Sequence, residues 1–159
     1  MITVASYIQA AAQGLAADSA LTAWAQATYG RQQKVYINID LKNPPGQADC
    51  PYVILRPATA RIGNAQAQKL AQLEMVCCLY DESFRTYAED AITEYNGVQR
   101  LCEFMQLAIR AVATLDIGNA LLNLLEPDFD TIESFPFFMA GLPLAITEDY
   151  VLGADRLEL

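Results

Sequence analysis

Three strand-forming segments follow one another between residues 34 and 80, and no stretch between them carries a helical pattern. Lys34-Val-Tyr-Ile-Asn-Ile-Asp40 alternates polar and apolar residues, the signature of an extended chain with one face on a core. Pro51-Tyr-Val-Ile-Leu-Arg-Pro57 is a second apolar strand, bracketed by prolines. Lys69 to Tyr80 is a third and longer one, with Leu70, Leu73, Met75, Val76, Cys77, Cys78 and Leu79. Leu41 to Cys50 contains Pro44-Pro45-Gly46 and reads as an exposed loop; Ala58 to Gln68, with Gly63-Asn64, reads as a long hairpin loop. Parallel neighbours need a crossover connection, usually a helix. Connections without one predict a mainly antiparallel sheet.

Helices flank these strands. Thr3 can cap a first helix with Val4, Tyr7, Ile8, Ala11, Ala12 and Leu15 on one face and Gly14 near its end. Asp18 can cap a second helix through Leu21, Trp24, Ala25 and Thr28, with Gly30 as its stop and Trp24 in the core. Asp81 to Asn96 is polar and reads as turns, with Asn96-Gly97 a cap or a turn. From Val98 the apolar spacing is helical: Val98, Leu101, Cys102, Met105, Ala108, Ile109, Val112, Leu115, with Gly118-Asn119 closing the region. Leu121 to Ile132 is limited by Pro127 to an edge or bulged strand. Phe135 to Thr147 is a final strand broken at Gly141, and residues 151–159 read as a flexible tail. The sum is an α+β fold: a mainly antiparallel sheet, with two N-terminal helices and one long amphipathic helix packed on one face. Residues 1–150 form one domain, in keeping with a length of 159.

Composition narrows the function. The hydrophobic share is 53% and the charged share 18%, more apolar and less charged than the usual roughly 45–50% and 25%. Surface covered by a partner or a ring neighbour explains the excess, and so does extra core alanine. No apolar run approaches the ~20 residues of a membrane span. The first helix carries no early Lys or Arg, and Gln9 and Gln13 interrupt its apolar run, so neither a signal peptide nor a membrane partner is expected. The net charge of −9 argues against nucleic acid, which requires Lys and Arg on phosphates. That charge is uneven. Residues 1–73 carry six basic and three acidic residues, a net of +3; residues 74–159 carry four basic and sixteen acidic, a net of −12. Such asymmetry suits either a solvated acidic surface or head-to-tail contact between unlike surfaces of neighbouring copies, which closes into a ring when the rotation allows.

Reactive chemistry has little to work with. The chain has no histidine, which removes His-based triads and the usual zinc and iron sites. Cys50, Cys77, Cys78 and Cys102 lack paired zinc spacing, and Cys77 and Cys78 should point to opposite faces of a strand; they read as buried free thiols in a reducing compartment. No phosphate-binding glycine motif occurs. Glu126, Asp128 and Asp130 alternate and could face a hard cation, but charge that protects a strand edge accounts for them better. Neither a catalytic site, a cofactor nor a metal is expected. A carboxylate-dependent enzyme or cation-binding domain is one alternative reading, and a monomeric or dimeric adaptor or assembly chaperone is another.

In their order the segments resemble the tail-terminator and tail-completion (neck) proteins of long-tailed bacteriophages and prophages. The helical start leads into the proline-introduced strand Pro51 to Pro57. The long strand ends in the acidic turn Leu73-Glu-Met-Val-Cys-Cys-Leu-Tyr-Asp-Glu82. One amphipathic helix, Val98 to Leu115, follows, and strands around Phe137 to Ile146 close the chain. The resemblance implies a non-enzymatic ring-forming subunit, a hexamer, that caps the tail tube and meets the head connector. It implies assembly in the cytoplasm of a bacterial host and a final place in the virion tail or neck. The interface candidates it suggests are the loop Lys42–Asp49, the hairpin around Arg61–Gln68 and the acidic segment Asp81–Glu94, with Asp81, Glu82, Glu89 and Asp90.

Overall fold

The structure, a computed structural model, describes residues 4–61, 68–118 and 120–149. The tail expected at 151–159, the Thr3 cap and the tip of the hairpin between Arg61 and Gln68 lie outside the described residues.

Helix α1 spans Val4–Ala17 and buries Tyr7, Ile8, Ala11 and Leu15, the face read from the spacing. Helix α2 spans Ser19–Tyr29. The Asp18 carboxylate accepts a hydrogen bond from the Leu21 N–H at 2.7 Å, and Gly30 closes the helix in the left-handed conformation (φ 69°). Both ends are thus satisfied by the residues the sequence put there.

Strand β1 (Lys34–Ile37) pairs with β2 (Tyr52–Arg61), which pairs with β3 (Gln68–Tyr80). After β3 come β4 (Phe84–Tyr87), β5 (Ile92–Tyr95), helix α3 (Asn96–Ala113), β6 (Leu121–Leu124), β7 (Asp128–Asp130) and β8 (Phe137–Asp149). The main sheet runs β1-β2-β3-β8-β6, with β7 also pairing β8; β4 and β5 form a separate two-stranded sheet. All three helices pack on one face. There Leu15, Leu21, Val53, Leu55, Leu73, Met75, Cys77, Leu101, Phe104, Phe138, Leu142 and Leu144 make the main core. Cys50, Tyr52, Ile54 and Cys78 form a smaller cluster on the other face, with Tyr36, Tyr80, Phe137 and Met139 against it. Cys77 and Cys78 therefore do face opposite ways. The four cysteines are free. Among the described residues, no helix is long and apolar enough to cross a membrane.

The sheet differs from expectation in four places. First, β1 and β2 are parallel. Their connection, Asn38 to Pro51, is long enough to carry the chain back without a helix, using a short 3-10 turn at Gln47–Asp49. Second, β2 continues through Pro57, because a register shift between Pro57 and Thr59 absorbs the proline's missing N–H. Third, the segment Asp81–Asn96 read as turns contains the β4–β5 hairpin. Fourth, β8 runs unbroken through Gly141, which is held by pairing with Val76 on one side and Asp128 on the other. Pro127 falls in the gap between β6 and β7, as an edge strand with a proline requires.

Helix α3 buries Gly97, Leu101, Phe104, Met105, Ala108, Ala111 and Val112. The face is turned slightly from the predicted one: Phe104 and Ala111 are inside, while Val98 is 44% exposed.

Candidate assembly surface

The β4–β5 hairpin stands off the main sheet, and of its eight strand residues only Glu94 is even half-buried. Its turn is made by Ala88, Glu89 and Asp90, three consecutive non-glycine residues with φ of 54°, 57° and 65°. Left-handed backbone of this kind is unfavourable for residues with a Cβ, more so for alanine than for aspartate. The base of the hairpin is pinned instead. Asp81 is only 5% exposed and accepts from the Ser83 N–H and hydroxyl at 2.8 and 2.6 Å. It also pairs with Arg100 of α3 at 2.6 Å. The Asp81 N–H donates to Pro136 O, and the Asn96 N–H to Ser83 O, both at 3.0 Å. The hairpin, the start of α3 and the approach to β8 are thereby tied together.

Between these elements lies an open groove of about 530 Å³, lined by Tyr87, Ile92, Tyr95, Val98, Ile132 and Phe135 among others. A run of ring contacts passes through its lining residues Tyr95, Phe135 and Phe138, starting from Phe84 outside it. Phe84 meets Tyr95 at 5.8 Å, Tyr95 meets Phe135 at 5.2 Å, and Phe135 meets the buried Phe138 at 6.0 Å. These pairs fix the groove's shape through tilted and edge-to-face geometry. Ile132 stands at its edge, 83% exposed. Beyond Thr131 and Ile132 a second hollow, of about 350 Å³, is lined by Asp128, Asp130 and Glu133. Asp130 is committed locally: it accepts from the Ser134 hydroxyl and from the Glu133 and Ser134 N–H groups, which hold its carboxyl below the usual carboxylate range. Asp128 and Glu133 make no ion pair among the described residues.

The opposite edge of the sheet carries a different surface. After β1, the Asp40 carboxylate accepts from the Lys42 N–H and the Asn43 side-chain amide, each at 2.9 Å, and Asp40 O accepts from the Asn43 N–H at 3.0 Å. This closed turn holds out Leu41, 83% exposed, beside exposed Lys42, Asn43 and Pro44. Lys42 makes no ion pair among the described residues. The rest of the loop is anchored. Asp49 takes the Lys34 ammonium at 2.5 Å, which lowers its pKa, and also accepts from the Gly46 N–H. The Arg31 side chain donates to the carbonyls of Cys50 and Gln47.

The structure thus divides the eight candidate interface residues. Lys42 and Asp49 share the β1-edge loop, where Lys42 makes no ion pair among the described residues and Asp49 is tied to Lys34. Arg61 and Gln68 mark the far end of the β2–β3 hairpin, away from the groove. Asp81 is an internal anchor. Glu82 is exposed and accepts from the Tyr80 hydroxyl. Glu89 and Asp90 form the exposed hairpin tip. Sequence reading takes the segment Asp81–Glu94 for its charge, not for Phe84, Tyr87 and Ile92, and misses Tyr95, Val98, Ile132 and Phe135 as part of the surface. The signal was present as apolar residues three apart, Phe84 and Tyr87, Ile92 and Tyr95, inside a segment otherwise rich in acid. Among the described residues, no three cysteine or carboxylate groups converge as metal ligands.

No family model matches this chain, and a search of curated proteins gives no match. By structure, the chain is similar to one from the virion of a native gene transfer agent (GTA) particle. The TM-score is 0.53 at 16% identity, over 94% of this chain and 100% of that one. At that identity the likeness is one of fold.

Proposed function

We propose that this chain is a structural subunit of a phage-like particle, in which it forms a ring that ends the tail tube and joins it to the head connector. The observation that carries the reading is the fold likeness to a virion chain along its whole length. The two edges of the sheet add support. An acidic, apolar-floored edge and a loop whose exposed lysine makes no ion pair among the described residues are unlike surfaces, and contact between unlike surfaces of identical copies forms a ring when the rotation closes. In this role the chain works by fitting, with no reaction to catalyse: one ring face matches the last ring of the tube, and the other offers no site for a further tube subunit. Growth by open-ended addition stops at such a layer. The neighbours are then copies of itself, the tube protein and the connector.

The test is to inactivate the gene in a bacterium that produces the particles and to image what it releases. The reading predicts overlong tubes and tails detached from heads. Tails of normal length joined to heads would overturn it, and a loss of activity with intact particles would favour an accessory role.

A further inference from the structure

Exposed apolar side chains cluster after β1 at Leu41, around the Ile132 groove, and along and just after β6 at Leu121, Leu124 and Leu125. The fold holds the first two groups on opposite edges of one sheet. The strand order β1-β2-β3-β8-β7 places the Leu41 turn and the Ile132 groove about 19 Å apart across the strands, taking ~4.8 Å per neighbour. One copy cannot bring them together. Two copies in a head-to-tail arrangement can.

We propose that the groove between the β4–β5 hairpin and residues 131–135 receives the Leu41–Pro44 turn of a second copy of this chain. The proposal rests on the ring reading and names its contact. Leu41 is an apolar knob on a turn already closed by Asp40, so docking orders little that is free beforehand. The groove it meets is floored by Tyr95 and Phe135 and edged by Ile132. Next to Leu41 stands Lys42; next to Ile132 stands Glu133, with Asp128 across the second hollow. The apolar contact and the charge contact thus fall in the same order on both surfaces. The pairing also converts the unequal charge of the two halves of the chain into an attraction between neighbours, screened by salt. The residues on each side differ, so the contact propagates from copy to copy in one direction, as a ring demands.

Mixing experiments on the full-length chain test this. Leu41→Asp should weaken self-association at least tenfold, as loss of a central apolar anchor does. Lys42→Glu and Glu133→Lys should each weaken it, and the double variant should recover most of the loss. In a Cys102→Ser background, Leu41→Cys chains mixed with Ile132→Cys chains should form an intermolecular disulfide under mild oxidation, while neither variant alone does so. Circular dichroism of each variant confirms the fold. Wild-type oligomers that persist in Leu41→Asp and give no mixed disulfide would overturn the groove contact and leave the ring standing. Capture of the tube protein's segment by the groove in place of Leu41 would likewise overturn it. A wild-type chain that stays monomeric would remove the ring reading itself.

Discussion

Gly97, in the first turn of α3, lies directly against the ring of Phe138 in β8. A Cβ on Gly97 would stand 2.7 Å from Cζ of that ring and closer still to Cδ2 and Cε2. Glycine in a helix normally costs up to about 1 kcal/mol relative to alanine. Here that cost is accepted because the helix and strand approach too closely for a methyl group. Gly97→Ala should therefore destabilise the protein by about 1–3 kcal/mol despite the better helix propensity. Thermal or urea unfolding measures it. Combining it with Phe138→Leu should cost less than the sum of the two single changes, since each relieves the crowding that the other meets.

The Asp81–Arg100 pair joins the end of β3 to α3, with the carboxylate buried and the guanidinium 38% exposed. Asp81→Ala strands the Ser83 donors and the arginine at once, and should cost about 1–3 kcal/mol in urea unfolding. Arg100→Met should cost less, because Asp81 keeps its Ser83 hydrogen bonds. The order of these two effects is the prediction.

Much of the fold was legible because its signals are local. Asp18 and Gly30 bound α2 by satisfying its ends, and the spacing from Leu101 to Val112 marks α3 within one residue of its true face. What escaped depends on contacts distant in sequence. Nothing local distinguishes a parallel β1–β2 pair from an antiparallel one when the connection is a loop. The β4–β5 hairpin carries neither an apolar–polar alternation, since nearly every strand residue is exposed, nor a Gly or Asn at its turn, since Ala88, Glu89 and Asp90 take left-handed backbone. Gly141 looks like a break in isolation and is stapled on both sides in the sheet. Of the candidate surface, the charges at Lys42, Glu82, Glu89 and Asp90 were visible. The groove was not, because Tyr95, Val98, Ile132 and Phe135 meet only in three dimensions.

The Tyr29 hydroxyl is buried and has no hydrogen-bond partner among the described residues. Burial raises its pKa. Leaving a hydroxyl unsatisfied in the interior wastes its desolvation, so Tyr29→Phe should preserve stability or raise it by up to about 1 kcal/mol. The ring itself packs against Trp24 at 5.9 Å and must stay. A fall in melting temperature for Tyr29→Phe would reveal a partner for the hydroxyl.

Burial pushes the Cys77 thiol up to about 12 from an ordinary 9.0. Burial also raises the Tyr52 phenol. In each case the native state keeps a proton that the unfolded chain releases, so stability is full below the unfolded value and declines as pH rises from about 9 toward 12. Urea midpoints should fall steadily across that window, and ultraviolet thiolate absorbance of the native protein should lag that of the unfolded chain. Constant stability to about pH 10.5 would contradict this assignment of buried protonated thiols.

The proposed ring requires that unlike surfaces of this chain join copies into a closed assembly. Sedimentation velocity of the full-length protein, over a wide concentration range at low and high salt, tests it most directly. A closed ring would sediment as one oligomer of fixed mass, several times the 17.5 kDa chain, that salt drives toward monomer. A monomer at every concentration and salt, or aggregates that grow without reaching a fixed mass, would contradict it.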